Sequence, residues 1–153
     1  MRLWRIAARK WAEDKSCDGA RLHGGRWNPA GVAAFYAALT PELAALEKRV
    51  HLSRAQAHPP LKLVAVDLPD DRRLPYKPAL NDLPPNWADM TNFAGAQEFG
   101  GRWLLGGRQL IMLVPSVILP EAFNAVVNPL HPRYAEMKLT VVRDFAFDAR
   151  LFH

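Results

Sequence analysis

Short apolar or alternating runs recur along this chain without helices spaced regularly between them, and that spacing restricts the fold most. "LWRIA", "AAFYAA" and "KLVAVDLP" read as strands of a half-buried sheet. "RQLIMLVPS" is continuously apolar, as a buried strand would be, and "KLTVVRDFAFD" supplies one or two more strands. Two helices are indicated. One begins at "TPELAALEKRVHLSR", where Thr40 suits an N-cap and Pro41 the first helical position. The other lies around "MTNFAGAQEFGGRWLLGG", with glycines to end its turns. Strands and helices that do not alternate argue against a doubly wound sheet. The pattern predicts an α+β domain with a mostly antiparallel sheet. The segment "RRLPYKPALNDLPPNW" concentrates prolines and reads as a long ordered loop.

The length, 153 residues, fits a single domain over residues 1–153, and the hydrophobic half of the chain is enough for a core. The formal net charge of +5 suits an anionic ligand, a nucleic acid or an acidic protein, and selects none of them. The basic residues are scattered, with no run of five or more, which weakens a nucleic-acid reading. A single cysteine, Cys17, excludes an internal disulfide and fits a reducing compartment. The histidines (His23, His51, His58, His131 and His153) have no partners at ligand spacing, so no metal site is expected. The N-terminus "MRLWRIAARKW" has no long apolar segment of the signal-peptide kind. Pro115 and Pro120 interrupt the longest apolar run, so no membrane helix is expected and the cytoplasm is the expected location.

Glu47 breaks the pattern of the first helix. At 100° per residue, Leu43, Leu46 and Val50 form the apolar stripe. Glu47 falls on it, whereas Lys48 and Arg49 point elsewhere. A carboxylate there is costly unless it is paired or lines a cleft. It could equally lie at the stripe's edge and reach water. His51, one turn on, is either a partner for Glu47 or an ordinary surface histidine. Tyr36 ends the preceding strand and fits a core aromatic with its hydroxyl at the edge. Ser116 follows Pro115 and fits a loop serine bonded to local backbone. No Gly-x-Ser-x-Gly elbow surrounds it, and no phosphate-loop or dinucleotide glycine motif occurs. The stretch "GARLHGGRWNPAG" combines glycines with arginines, a composition suited to bringing donors close to a phosphate or carboxylate.

Taken in order, "LWRIA", "GARLHGGRWNPAG", "FYAALTPELAALEKRVHL", "VAVDLP", "GGRWLLGGRQLIMLVPSVILPEAFNAVVNPLHP" and "FAFDARLF" make the chain resemble the RES-domain toxins of bacterial toxin–antitoxin systems. The resemblance covers nearly the whole chain. It implies a fold similar to ADP-ribosyltransferases and an enzyme that consumes NAD⁺ without a metal. The family triad falls on Arg26, Glu47 and Ser116, with Tyr36 as a fourth position. Glu47 and Arg26 would be catalytic. Arg26, Tyr36, Ser116 and His51 would bind substrate, with Arg26 and the "HGGRWN" loop cradling the pyrophosphate and Tyr36 stacking on nicotinamide. The resemblance implies cleavage of the nicotinamide–ribose bond, with water, phosphate or a protein as the acceptor. It also implies an Xre-type antitoxin that binds directly, and contact with DNA only through that antitoxin. The rival reading is an RNA-directed toxin or nucleic-acid-binding module. Its support is the positive charge and the tryptophans beside arginines, Trp27 and Trp103.

Overall fold

The structure, a computed structural model, describes residues 1–52 and 58–152. Seven strands form one sheet: β1 (Arg2–Ala8), β2 (Phe35–Ala38), β3 (Leu61–Asp67), β4 (Pro75–Tyr76), β5 (Ile111–Pro115), β6 (Phe123–Val127) and β7 (Lys138–Phe145). Three α-helices accompany them: α1 (Asp18–His23), α2 (Pro41–Val50) and α3 (Ala94–Gly106). The strand order is β4-β5-β6-β2-β1-β3-β7. Every pairing is antiparallel except β4 with β5. The expected α+β architecture is therefore present.

The helix termini follow from local chemistry. Thr40 caps α2, its Oγ1 accepting from the Leu43 N–H at 3.2 Å, and Pro41 occupies the first turn. Gly107, at φ 63°, ends α3 in the left-handed region open to glycine. The predicted continuation of the first helix into Ser53 and Arg54 lies outside the described residues, as does His153.

Strands β5 and β6 are buried on both faces, which explains their apolar composition. Ile111, Ala125 and Val127 pack with Leu3, Val66 and Met137, while Met112, Val114 and Val126 pack with Trp27 and Leu104. A third cluster joins Leu43 and Ala44 of α2 to Ile6, Ala38, Leu61 and Leu63. Strand β6 was not apparent in the sequence, and neither were β4 and α1. "KLTVVRDF" forms one strand, at the sheet edge.

The sheet is continuous but unevenly zipped. Strands β1 and β3 pair along their full length, from Arg2↔Asp67 to Ala8↔Leu61. Strands β1 and β2 share only Trp4↔Ala38. Ala38 is the last residue of β2, so Phe35 to Ala37 are not paired with β1, and a cavity of about 1080 Å³ is lined by residues of both strands.

Candidate functional site

Glu47 lies on the wall of this cavity, where α2 passes β1 and β2. Its Oε1 accepts from the Ser116 hydroxyl at 2.8 Å and from the Asn124 side-chain amide at 2.6 Å. Both donors take the same oxygen, and among the described residues none bonds to Oε2. The inward-facing expectation for Glu47 holds, but the stripe drawn around it needs correction. Val50 is 54% exposed at the cavity rim. The buried residues of α2 are Leu43 and Ala44, because the helix is rolled toward β1 and β2. Lys48, expected to point elsewhere, is half-buried in the cavity wall for the same reason.

Ser116 is fully buried. Its Oγ donates to Glu47 and accepts from the N–H groups of Ile118 and Leu119 at 3.1 and 3.3 Å. This fixes one donor direction onto the carboxylate. Asn124 does the same from β6 and was not singled out by sequence. Its signal was an amide within an apolar strand, "FNAVV", where an unpaired polar group would be costly.

Arg26 lines the same cavity and feels the field of Glu47. Its Nη1 donates to the carbonyls of Trp87 and Asp89 at 2.8 and 2.7 Å, and its guanidinium lies 4.5 Å from the centre of the Phe93 ring. Burial lowers its pKa, opposed by Glu47 and Asp89. A guanidinium stays charged through such a shift. Nε and Nη2 make no hydrogen bonds among the described residues, and they form the planar edge that matches an oxyanion.

The "HGGRWN" backbone behaves differently from the expected cradle. The Gly24 N–H donates to Ala20 O at 2.8 Å, the Gly25 N–H to Asn28 O at 2.9 Å and the Trp27 N–H to the Tyr36 hydroxyl at 3.1 Å. These amides close the loop on itself, so Arg26 offers its side chain while much of the surrounding backbone is occupied. The start of the glycine-rich stretch, Gly19 to His23, belongs to α1, and Gly24, at φ 72°, terminates it. Gly25 lies under the Tyr36 hydroxyl, which an added Cβ would approach to 2.8 Å.

Tyr36 explains that arrangement. Its hydroxyl donates to Asn28 Oδ1 at 2.5 Å while accepting from Trp27. Asn28 is buried, and its amide donates to Ala20 O and Val32 O, each at 2.8 Å. Burial raises the Tyr36 pKa, so the phenol remains neutral and able to donate. The ring borders the cavity while the hydroxyl latches the Arg26 loop. His51 caps the C-terminus of α2 and is exposed at the cavity rim. No hydrogen bond joins it to Glu47 among the described residues.

Trp27 is buried, packed against Trp87 at 6.5 Å and Phe99 at 6.1 Å between ring centres. Trp103 bonds Gln109 through its ring N–H at 3.1 Å. Trp27 thus serves as a packing residue and presents no open face for a base. Among the described residues there is no cluster of three or more potential metal ligands, and no helix is long and apolar enough to cross a membrane.

The α+β fold thus brings a carboxylate held by two donors and an arginine into one cavity. The family follows from comparison: the RES domain profile matches residues 2–149, and the chain belongs to that family. It is 39% identical to the Prs ADP-ribosylating toxin of Sphingobium sp. (strain YBL2), covering 97% of this chain and 95% of that one. It is 34% identical to Toxin Res of Yersinia enterocolitica, over 99% of both chains. A chain in the crystal structure of the M. tuberculosis MbcT–MbcA toxin–antitoxin complex superposes with a TM-score of 0.70 at 20% identity, covering 99% of this chain and 86% of that one.

Proposed function

We propose that this RES domain, taken as a single domain over the whole chain, is the toxin of a type II toxin–antitoxin pair and acts on NAD⁺ in the cytoplasm. It cleaves the nicotinamide–ribose bond and passes ADP-ribose to water, phosphate or a protein. The observation that carries this reading is Glu47, held through Oε1 by Ser116 and Asn124 in a cavity that also contains Arg26. Departure of nicotinamide leaves an oxocarbenium-like ribose. Glu47 supplies negative charge beside it and uses Oε2 to accept from a ribose hydroxyl. The C–N electron pair leaves with nicotinamide, which departs neutral, so no general acid is needed. Arg26 presents Nε and Nη2 to the pyrophosphate. Ser116 and Asn124 position Glu47, and Tyr36 positions the Arg26 loop while its ring borders the nicotinamide. His51 stands at the rim within reach of the substrate's outer parts.

The direct test is release of nicotinamide from NAD⁺ by purified protein, with and without phosphate and cell extract. Wild-type protein should exceed a Glu47→Ala control in at least one condition. Equal release throughout would end this reading. RNA cleavage with NAD⁺ left intact would favour the nucleic-acid alternative.

Arg26→Lys should raise the KM for NAD⁺ about tenfold or more. Lysine cannot bridge the Trp87 and Asp89 carbonyls and also present a planar pair of donors to the pyrophosphate. Steady-state kinetics check this, and an unchanged KM and kcat would refute the assigned role.

The restraining partner in this reading is an Xre-type antitoxin, through which any contact with DNA would be made. A cationic cleft favours an acidic segment or terminal carboxylate placed near Arg26. NAD⁺ or a non-cleavable analogue should therefore weaken antitoxin binding, as should Arg26→Ala. Antitoxin affinity indifferent to both would show that the partner binds elsewhere.

A further inference from the structure

The segment 84–93 that holds Arg26 is ordered largely by contacts within itself. The Trp87 N–H donates to Pro84 O and the Asp89 N–H to Asn86 O, each at 3.0 Å. Asp89 Oδ1 accepts three bonds: from the N–H groups of Thr91 and Asn92, each at 2.8 Å, and from the Thr91 hydroxyl at 3.0 Å. An aspartate that accepts from the main chain just ahead of it closes a tight turn. Asn92 Oδ1 then accepts from the Ala94 N–H at 3.0 Å, where α3 begins.

Arg26 depends on both sides of that turn. Its Nη1 bonds to the Trp87 and Asp89 carbonyls, and its guanidinium lies against the Phe93 ring. The Asp89 carboxylate itself forms no ion pair with Arg26 among the described residues. The bonds from Asn92 and Thr91 hold the Asp89 carboxyl below the usual carboxylate range, and the field of Arg26 contributes least to that shift. The charge of Asp89 is therefore spent on the turn. A carboxylate aimed at the guanidinium would compete with an anionic ligand for Nε and Nη2. Neutral carbonyls hold the side chain and leave its charge uncommitted.

We propose that Asp89 is a positioning residue. Its side chain folds residues 89–92 into the turn that sets the Asp89 carbonyl and the Phe93 ring against Arg26, and so aims the free Nε–Nη2 edge into the cavity. This assignment rests on the pyrophosphate-binding role of Arg26 given above. Ordering a long side chain costs binding free energy, and the turn meets that cost before the ligand arrives.

The test combines NAD⁺ kinetics with NMR of the ligand-free protein carrying isotope-labelled arginine, in which the Arg26 side-chain signals are those lost in Arg26→Lys. Asp89→Ala removes the acceptor of all three bonds. It should raise the KM for NAD⁺ about fivefold while kcat and melting temperature stay near those of the wild type. Its Arg26 signals should change from restricted to averaged. Asp89→Asn keeps Oδ1 as an acceptor and removes only the charge, so it should rescue both the KM and the Arg26 signals. In an Arg26→Lys background, Asp89→Ala should add little, because residues that act through one another are not additive. The NMR measurement needs no turnover. A wild type that leaves NAD⁺ intact would defeat the functional reading, while the Arg26 signals still decide the role of Asp89. That role is overturned if Asp89→Ala leaves the Arg26 signals unchanged or, in a protein that cleaves NAD⁺, leaves the KM unchanged. It is also overturned if Asp89→Asn disturbs both as much as Asp89→Ala does, or if the effects of Asp89→Ala and Arg26→Lys on KM add in full.

Discussion

Glu47→Gln is expected to lower kcat for NAD⁺ cleavage by roughly 100-fold or more, with little change or a slight rise in melting temperature. The amide oxygen of glutamine can still accept from Ser116 and Asn124, so the side chain keeps its place. What is lost is the negative charge facing the developing oxocarbenium, a contact that matters most in the transition state. The effect should therefore fall on kcat more than on KM. Burying a carboxylate also carries a cost that the neutral amide avoids. Nicotinamide release at saturating NAD⁺, paired with a thermal melt, tests both halves. A folded variant with near-normal turnover would remove Glu47 from the chemistry.

Gly100→Ala should produce the largest loss of stability. Helix α3 crosses the Arg26 loop at this glycine, and an added Cβ would lie 1.9 Å from Trp27 O and 2.7 Å from Trp27 C. Both neighbours are backbone and cannot rotate aside. The helix must lift or the loop must shift, at a cost of about 3 kcal/mol or more. For a chain of this size, that corresponds to a fall of roughly 6–12 °C in melting temperature. Trp27 adjoins Arg26, so the surviving folded protein should also bind NAD⁺ more weakly. Gly106→Ala makes a suitable comparison, because nothing lies within 4 Å of its added Cβ. Equal melting temperatures for the two variants would contradict this account of the crossing.

Features governed by local periodicity and capping were readable from sequence. Thr40 and Pro41 begin α2 as expected, and "RQLIMLVPS" is a strand buried on both faces. Glu47 was recognisable because a charge on an apolar stripe requires an explanation. Features that depend on distant partners were not readable. Strand β6 is short and carries Asn124, whose amide makes sense only once Glu47 is opposite. The role of Arg26 as a tether depends on carbonyls at Trp87 and Asp89, far along the chain. The glycines of "HGGRWN" suggested close approach to a ligand. Gly25 instead permits close approach of the Tyr36 hydroxyl. A one-dimensional pattern records that something must come near without recording what.

The single pairing Trp4↔Ala38 gives the sheet an interior border as well as its outer ones. Beyond that pair, β1 is zipped to β3 on one side and faces the cavity on the other. A border that no ladder closes can present main-chain donors and acceptors to whatever fills the gap. Recognition at such a border belongs partly to the peptide backbone, which no side-chain substitution deletes. Changes in the cavity's side chains can erode an occupant's affinity, while the main-chain component disappears only when the strands themselves are moved.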